Sequence, residues 1–119
     1  MALSVMIVDD DEPFLALAVK ILAGCGYHPE SEARSVSDAL SRVARHPPDL
    51  ALVDIGLPDG NGMELSKQLT DAPLRVRVVL ISADSDATSQ RGAMDVGAIG
   101  FIPKSDLSCS TLDALLRTG

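Results

Sequence analysis

Five short apolar runs alternate with five stretches of helical spacing, and this alternation restricts the fold of the chain more than any other feature. The runs are SVMIV (4–8), a weaker one over 27–33, LALV (50–53), VRVVLI (76–81) and IGFI (99–102). Phe14, Ala18, Ile21, Leu22 and Cys25 recur at helical spacing and predict a helix over 12–24, with Gly26 as its C-terminal stop. Further helices are predicted over 37–45, ended by Pro47 and Pro48, and over 62–70, 86–96 and 110–117. The one over 86–96 is the weakest, because Gly92 in its middle costs about 1 kcal/mol relative to alanine. Strand and helix in strict alternation indicate an α/β domain with a parallel sheet covered on both faces. The nearly unbroken apolar character of LALV and VVLI agrees, since parallel strands are buried on both sides.

The 119 residues suffice for one domain. Its core must be aliphatic, because 46% of the residues are hydrophobic and only 3% aromatic. A formal charge of −7 argues against direct binding of a nucleic acid backbone, which needs clustered lysine and arginine, and favours a cation or a basic partner. Cys25 and Cys109 are too few for a disulfide framework, and no segment reads as a signal peptide or a membrane span. The expectation is a cytoplasmic protein with reduced thiols. Cys25, His28, His46 and Cys109 lack the paired spacing of a zinc site.

In open parallel sheets, ligands bind beyond the carboxyl ends of the strands. Here those ends carry Asp9 and Asp10 after the first strand, Asp54 after the third, Ser82 after the fourth and Lys104 after the fifth. The acids of VMIVDDDEPF divide into two pairs. Asp11 and Glu12 precede Pro13 and a helix, where acids complement the macrodipole. Asp9 and Asp10 still belong to the strand end, where crowded carboxylates call for a cation.

Four motifs, MIVDDDE, LALVDIGLPDGNG, VVLISA and FIPKS, occur in order over essentially the whole chain. In these the chain resembles the receiver domain of a two-component response regulator, and residues 1–119 read as a single such domain. The resemblance implies a doubly wound, flavodoxin-like (βα)5 fold with a five-stranded parallel sheet of order 2-1-3-4-5 and helices on both faces. It also implies that Asp54 accepts a phosphoryl group from a histidine kinase or phosphotransfer protein. Asp9, Asp10, Asp54 and the backbone carbonyl of Gly56 would hold Mg²⁺, with Mn²⁺ as a substitute. Lys104 would neutralise the phosphoryl oxygens, Ser82 would hydrogen-bond the phosphoryl group, and Phe101 would be the aromatic switch, although plain core packing explains a phenylalanine there equally well. Gly56 and Asp84, two residues past Asp54 and Ser82, would tune dephosphorylation. The fourth helix, fifth strand and fifth helix would form the surface read by a partner, a second copy in a homodimer, or an output domain of a longer chain.

Two rivals belong to other classes. A haloacid-dehalogenase-like phosphatase also sets an aspartate and Mg²⁺ on a parallel sheet, and Asp9 with Asp11 supplies D-x-D, but that nucleophile sits on the first strand. A receiver-like binding module independent of phosphorylation would not need all five side chains. A dinucleotide-binding domain fails earlier, because no G-x-G-x-x-G follows any strand.

Overall fold

The computed structural model describes residues 2–118 and follows the alternation element by element. In chain order these are β1 (Ser4–Val8), α1 (Glu12–Gly24), β2 (His28–Ala33), α2 (Val36–Arg45), β3 (Leu50–Asp54), α3 (Gly62–Thr70), β4 (Arg77–Ser82), α4 (Gln90–Asp95), β5 (Gly100–Pro103) and α5 (Cys109–Thr118). The strands form one parallel sheet in the order β2-β1-β3-β4-β5. Between β3 and α3, Gly56–Leu57 and Gly60–Asn61 add a small antiparallel ladder.

Period-two alternation gives each central strand two buried faces. Met6, Val8, Ala51, Val53, Val78 and Leu80 face the layer of α2, α3 and α4, where Ala39, Val43, Leu65, Leu69 and Ala93 meet them. Val5, Ile7, Leu50, Leu52, Val79 and Ile81 face the layer of α1 and α5, filled by Phe14, Leu15, Ala18, Leu22 and Leu112. The edge strand β2 is more polar and carries Pro29, beside an irregularity in its register with β1. Proline is tolerated on an edge, where its missing N–H breaks no central ladder.

The helix ends follow local chemistry. Asp11 caps α1 by accepting from the Phe14 N–H, and α1 terminates before Gly26, which adopts a φ of 89°. Ser35 caps α2 and Asn61 caps α3. The helix expected over 86–96 is confined to Gln90–Asp95. Asp84 bonds the Asp86 N–H, and Ser89 accepts from the Gly92 N–H as the N-cap of α4. These side chains satisfy the backbone locally and start the helix four residues later than its apolar pattern predicts.

Cys25 and Cys109 correct the reading of reduced thiols: they form a disulfide with Cα atoms 5.5 Å apart, leaving no free cysteine. Leu22 and Leu112 lie in the same core layer, so packing brings the end of α1 beside the start of α5 despite a separation of 84 residues. No described helix is long and apolar enough to cross a membrane.

Candidate functional site

The β1 ladder continues one residue past Val8, with the Asp9 N–H donating to the Ala33 carbonyl at 2.9 Å. That bond holds the Asp9 side chain inside the sheet edge, where it is fully buried. Its Oδ1 accepts from the Asp11 N–H at 2.9 Å, while the buried Oδ2 accepts no hydrogen bond of good geometry and is paired with the Lys104 ammonium 2.7 Å away. Asp10, the next residue, is exposed.

Asp54 ends β3 and is only 7% exposed. Its Oδ1 accepts from the Gly56 N–H at 3.3 Å and its Oδ2 lies 3.4 Å from Lys104. The loop beyond it is packed without slack. Gly62 donates its N–H to the Ile55 carbonyl, and a Cβ at Gly62 would lie 2.2 Å from the Asp54 carbonyl oxygen. Across the loop, the Asp59 carboxylate accepts from the Val36 and Ser37 N–H groups at 2.7 and 3.1 Å, tying this segment to the start of α2. Those two bonds hold the Asp59 carboxyl below its ordinary range.

Lys104 follows β5 and opens a short 3-10 turn. Besides Asp9 and Asp54 it lies 4.0 Å from Asp11, and its ammonium sits 4.6 Å from the centroid of the Phe14 ring. Burial alone would lower its affinity for a proton, but Asp9 and Asp54 outweigh burial and hold the ammonium above its ordinary value. Asp54 is raised as well, though for it this favours the neutral form: burial first, and repulsion from Asp9 second, push its carboxyl up to about 6.

Ligand atoms of Asp9, Asp10 and Asp54 all lie within 4.8 Å of one another. Three carboxylates against one ammonium leave the edge with net negative charge, and the donor set is entirely oxygen. Both properties suit a hard divalent cation. The pair assigned to helix initiation behaves differently: Asp11 caps α1, and Glu12 pairs with Arg34 at 2.6 Å.

Ser82 ends β4, is buried, and accepts from the Asp84 N–H at 3.0 Å. The Asp84 carboxylate is turned toward the Asp86 N–H. Phe101 is buried in the layer of α2, α3 and α4. Its backbone is clamped by one side chain, Gln90, which accepts from the Phe101 N–H at 3.0 Å and donates to the Phe101 carbonyl at 2.6 Å. The structure thus gathers Asp9, Asp10, Asp54 and Lys104 at one place. Sequence reasoning missed the Phe14 ring beside Lys104, the Asp59 cap and the Gln90 clamp. Only Asp59, an acid in a turn-rich loop, carried any local signal.

The family model for the response regulator receiver domain matches residues 5–115. The chain belongs to the response regulator receiver domain family. This receiver is 31% identical over 116 residues to the photosynthetic apparatus regulatory protein RegA of Cereibacter sphaeroides, covering 98% of this chain and 62% of that one. The chain therefore spans somewhat less than two thirds of that relative. It is 29% identical to the chemotaxis protein CheY of Bacillus subtilis, covering 99% of this chain and 98% of that one. Among solved structures, the receiver domain of the putative response regulator NarL from Mycobacterium tuberculosis superposes with a TM-score of 0.81 at 28% identity, over 97% of each chain. A two-component receiver is what these similarities support, and the phosphatase alternative is not favoured. Receivers bind Mg²⁺ through an acidic pocket, and the aspartate cluster stands where the sheet would place one.

Proposed function

We propose that Asp54 is the phosphoacceptor of this receiver, taking a phosphoryl group from the phosphohistidine of a histidine kinase or a phosphotransfer protein. One observation carries the reading: buried Asp9 and Asp54 share a single lysine, at 2.7 and 3.4 Å, at the carboxyl edge of the sheet. An Asp54 carboxylate oxygen attacks phosphorus, an O–P bond forms, and the P–N bond breaks with its electron pair left on the imidazole. Asp9, Asp10, Asp54 and the Gly56 carbonyl would hold Mg²⁺, or Mn²⁺ in its place, which would supply charge neutralisation. Lys104 exchanges its ion pair with Asp54 for a phosphoryl oxygen, and transfer needs little more than this positioning and neutralisation. Ser82 then donates its hydroxyl to the phosphoryl group. Phe101 follows, and the surface of α4, β5 and α5 changes by a shift of populations.

Gly56 leaves the path of an attacking water open, and Asp84 orients that water, so Asp84→Ala lengthens the phosphoryl half-life by a few-fold at equal Mg²⁺. An unchanged half-life removes Asp84 from the mechanism. The setting is the cytoplasm. The altered surface meets a partner protein, a second copy of the receiver in a homodimer, or an output domain of a longer chain, while this domain itself holds no nucleic acid.

Incubation with acetyl phosphate and Mg²⁺, read by intact mass, tests the reading. A single phosphoryl adduct that is absent in Asp54→Asn supports it. Hydrolysis of phosphate esters that survives Asp54→Asn overturns it in favour of a phosphatase, and the absence of any adduct overturns it in favour of a binding module.

A further inference from the structure

The same stripe of α5 is held three times. Cys109, Asp113 and Leu116 stand at positions i, i+4 and i+7, one face of a helix. Cys109 is bonded to Cys25, Asp113 accepts from the Tyr27 hydroxyl, and the Leu116 carbonyl accepts from Arg77 at 3.3 Å. Two of these three ties come from one short turn, Cys25-Gly26-Tyr27, between α1 and β2. The turn is the clasp that fastens α5, and its strongest link is covalent.

The disulfide is also reachable. Cys109 is exposed and Cys25 is half-buried, so an external thiolate reaches the bond without unfolding the core. Disulfides in a reducing cytosol are seldom permanent fixtures; those present usually serve exchange or sensing.

We propose that Cys25 and Cys109 are a redox-sensing pair that exchanges with dithiol proteins and sets whether α5 is fastened to α1. This rests on the cytoplasmic setting of the proposed function, but not on any chemistry at Asp54. A thiolate of the dithiol attacks the Cys109 sulfur, a mixed disulfide forms, and the electron pair leaves on Cys25, which takes up a proton. The second thiol of the reductant, losing its proton, closes onto its partner sulfur and releases Cys109 as a thiolate, which is then protonated. The dithiol is oxidised to a disulfide, and the receiver gains two electrons and two protons. Reduction removes the covalent tie and leaves α5 on its non-covalent contacts, among them the packing of Leu112, Leu115 and Leu116 and the Tyr27 and Arg77 bonds. The fifth helix, one side of the proposed partner surface, then opens more often.

The test uses the whole chain in native buffer with dithiothreitol, and then with glutathione at graded ratios of thiol to disulfide. Alkylation followed by intact mass counts free thiols, and early amide exchange reads α5, with α2 on the other face of the sheet as reference. Two alkylated thiols at cytosol-like ratios, with α5 exchange faster by about tenfold and restored on reoxidation, support the proposal. Cys25→Ser with Cys109→Ser should reproduce the reduced pattern and ignore the dithiol; if that variant does not fold, the reversible cycle of the unaltered chain decides. A disulfide that persists at excess thiol overturns the proposal, as does α5 exchange unchanged by reduction. A parallel phosphoryl assay separates the two readings, since loss of the Asp54 adduct would leave the thiol result standing.

Discussion

Asp54 is held where its own charge is unwelcome. Because burial and Asp9 raise its carboxyl to about 6 from an ordinary value of 3.8, the folded state binds this proton more tightly than the unfolded chain. Stability without divalent metal therefore falls as pH rises from 4 to 6. Asp54→Asn removes the ionised group and is expected to stabilise the metal-free protein by about 2 kcal/mol above pH 6, less than the full shift because solvent screens part of it, and by nothing below pH 4. Urea denaturation across that range measures both. Lys104→Ala has the opposite sign. Removing the ammonium that stands 2.7 Å from the buried Asp9 Oδ2 is expected to cost about 3 kcal/mol without metal, with Mg²⁺ restoring part of the loss. If Mg²⁺ fails to narrow the difference from the unaltered chain, the metal is not held at Asp9. Asp9, Asp10, Asp54 and Lys104 were legible in the sequence because each interrupts an apolar run with charge. Phe14 beside Lys104 was not, because an aromatic at helical spacing reads as core whatever lies over its ring.

Strands and long helices were legible to within a residue or two, since their periodicity is repeated over many positions. The fourth helix was not, because its start depends on Ser89 and Asp84 outcompeting the helix for backbone groups, a contest that apolar spacing does not register. The disulfide was invisible for a different reason: its partners meet only after α1 and α5 have packed on the same face of the sheet. The loop from β3 to α3 yields the prediction proper to this scale. A methyl group at Gly62 would meet the Asp54 carbonyl oxygen at 2.2 Å, and that oxygen belongs to a strand paired on both sides. Gly62→Ala is expected to destabilise the protein by about 2 kcal/mol or more and to slow phosphorylation of Asp54. A variant that keeps the parent's melting temperature and phosphorylation rate would show that the loop relaxes freely.

Across the described residues, the five-stranded sheet lies between two helical layers, and the disulfide closes a covalent loop between residues 84 apart. Loop entropy assigns that closure a contribution of about 4.5 kcal/mol, acting chiefly on the unfolded chain. Reduction, or Cys25→Ser with Cys109→Ser, should lower the urea midpoint and raise the m-value, because the released denatured chain exposes more surface. A lower midpoint at constant m would place the effect in the folded state instead. At the β5 edge of the sheet, Gln90 has a consequence of its own. By answering both backbone groups of Phe101, its amide occupies the space of a sixth strand and denies an extended chain the vacancy it would need there. Any movement that draws α4 away from β5 therefore uncovers a template for strand addition, and Gln90 is the stop that keeps the sheet at five.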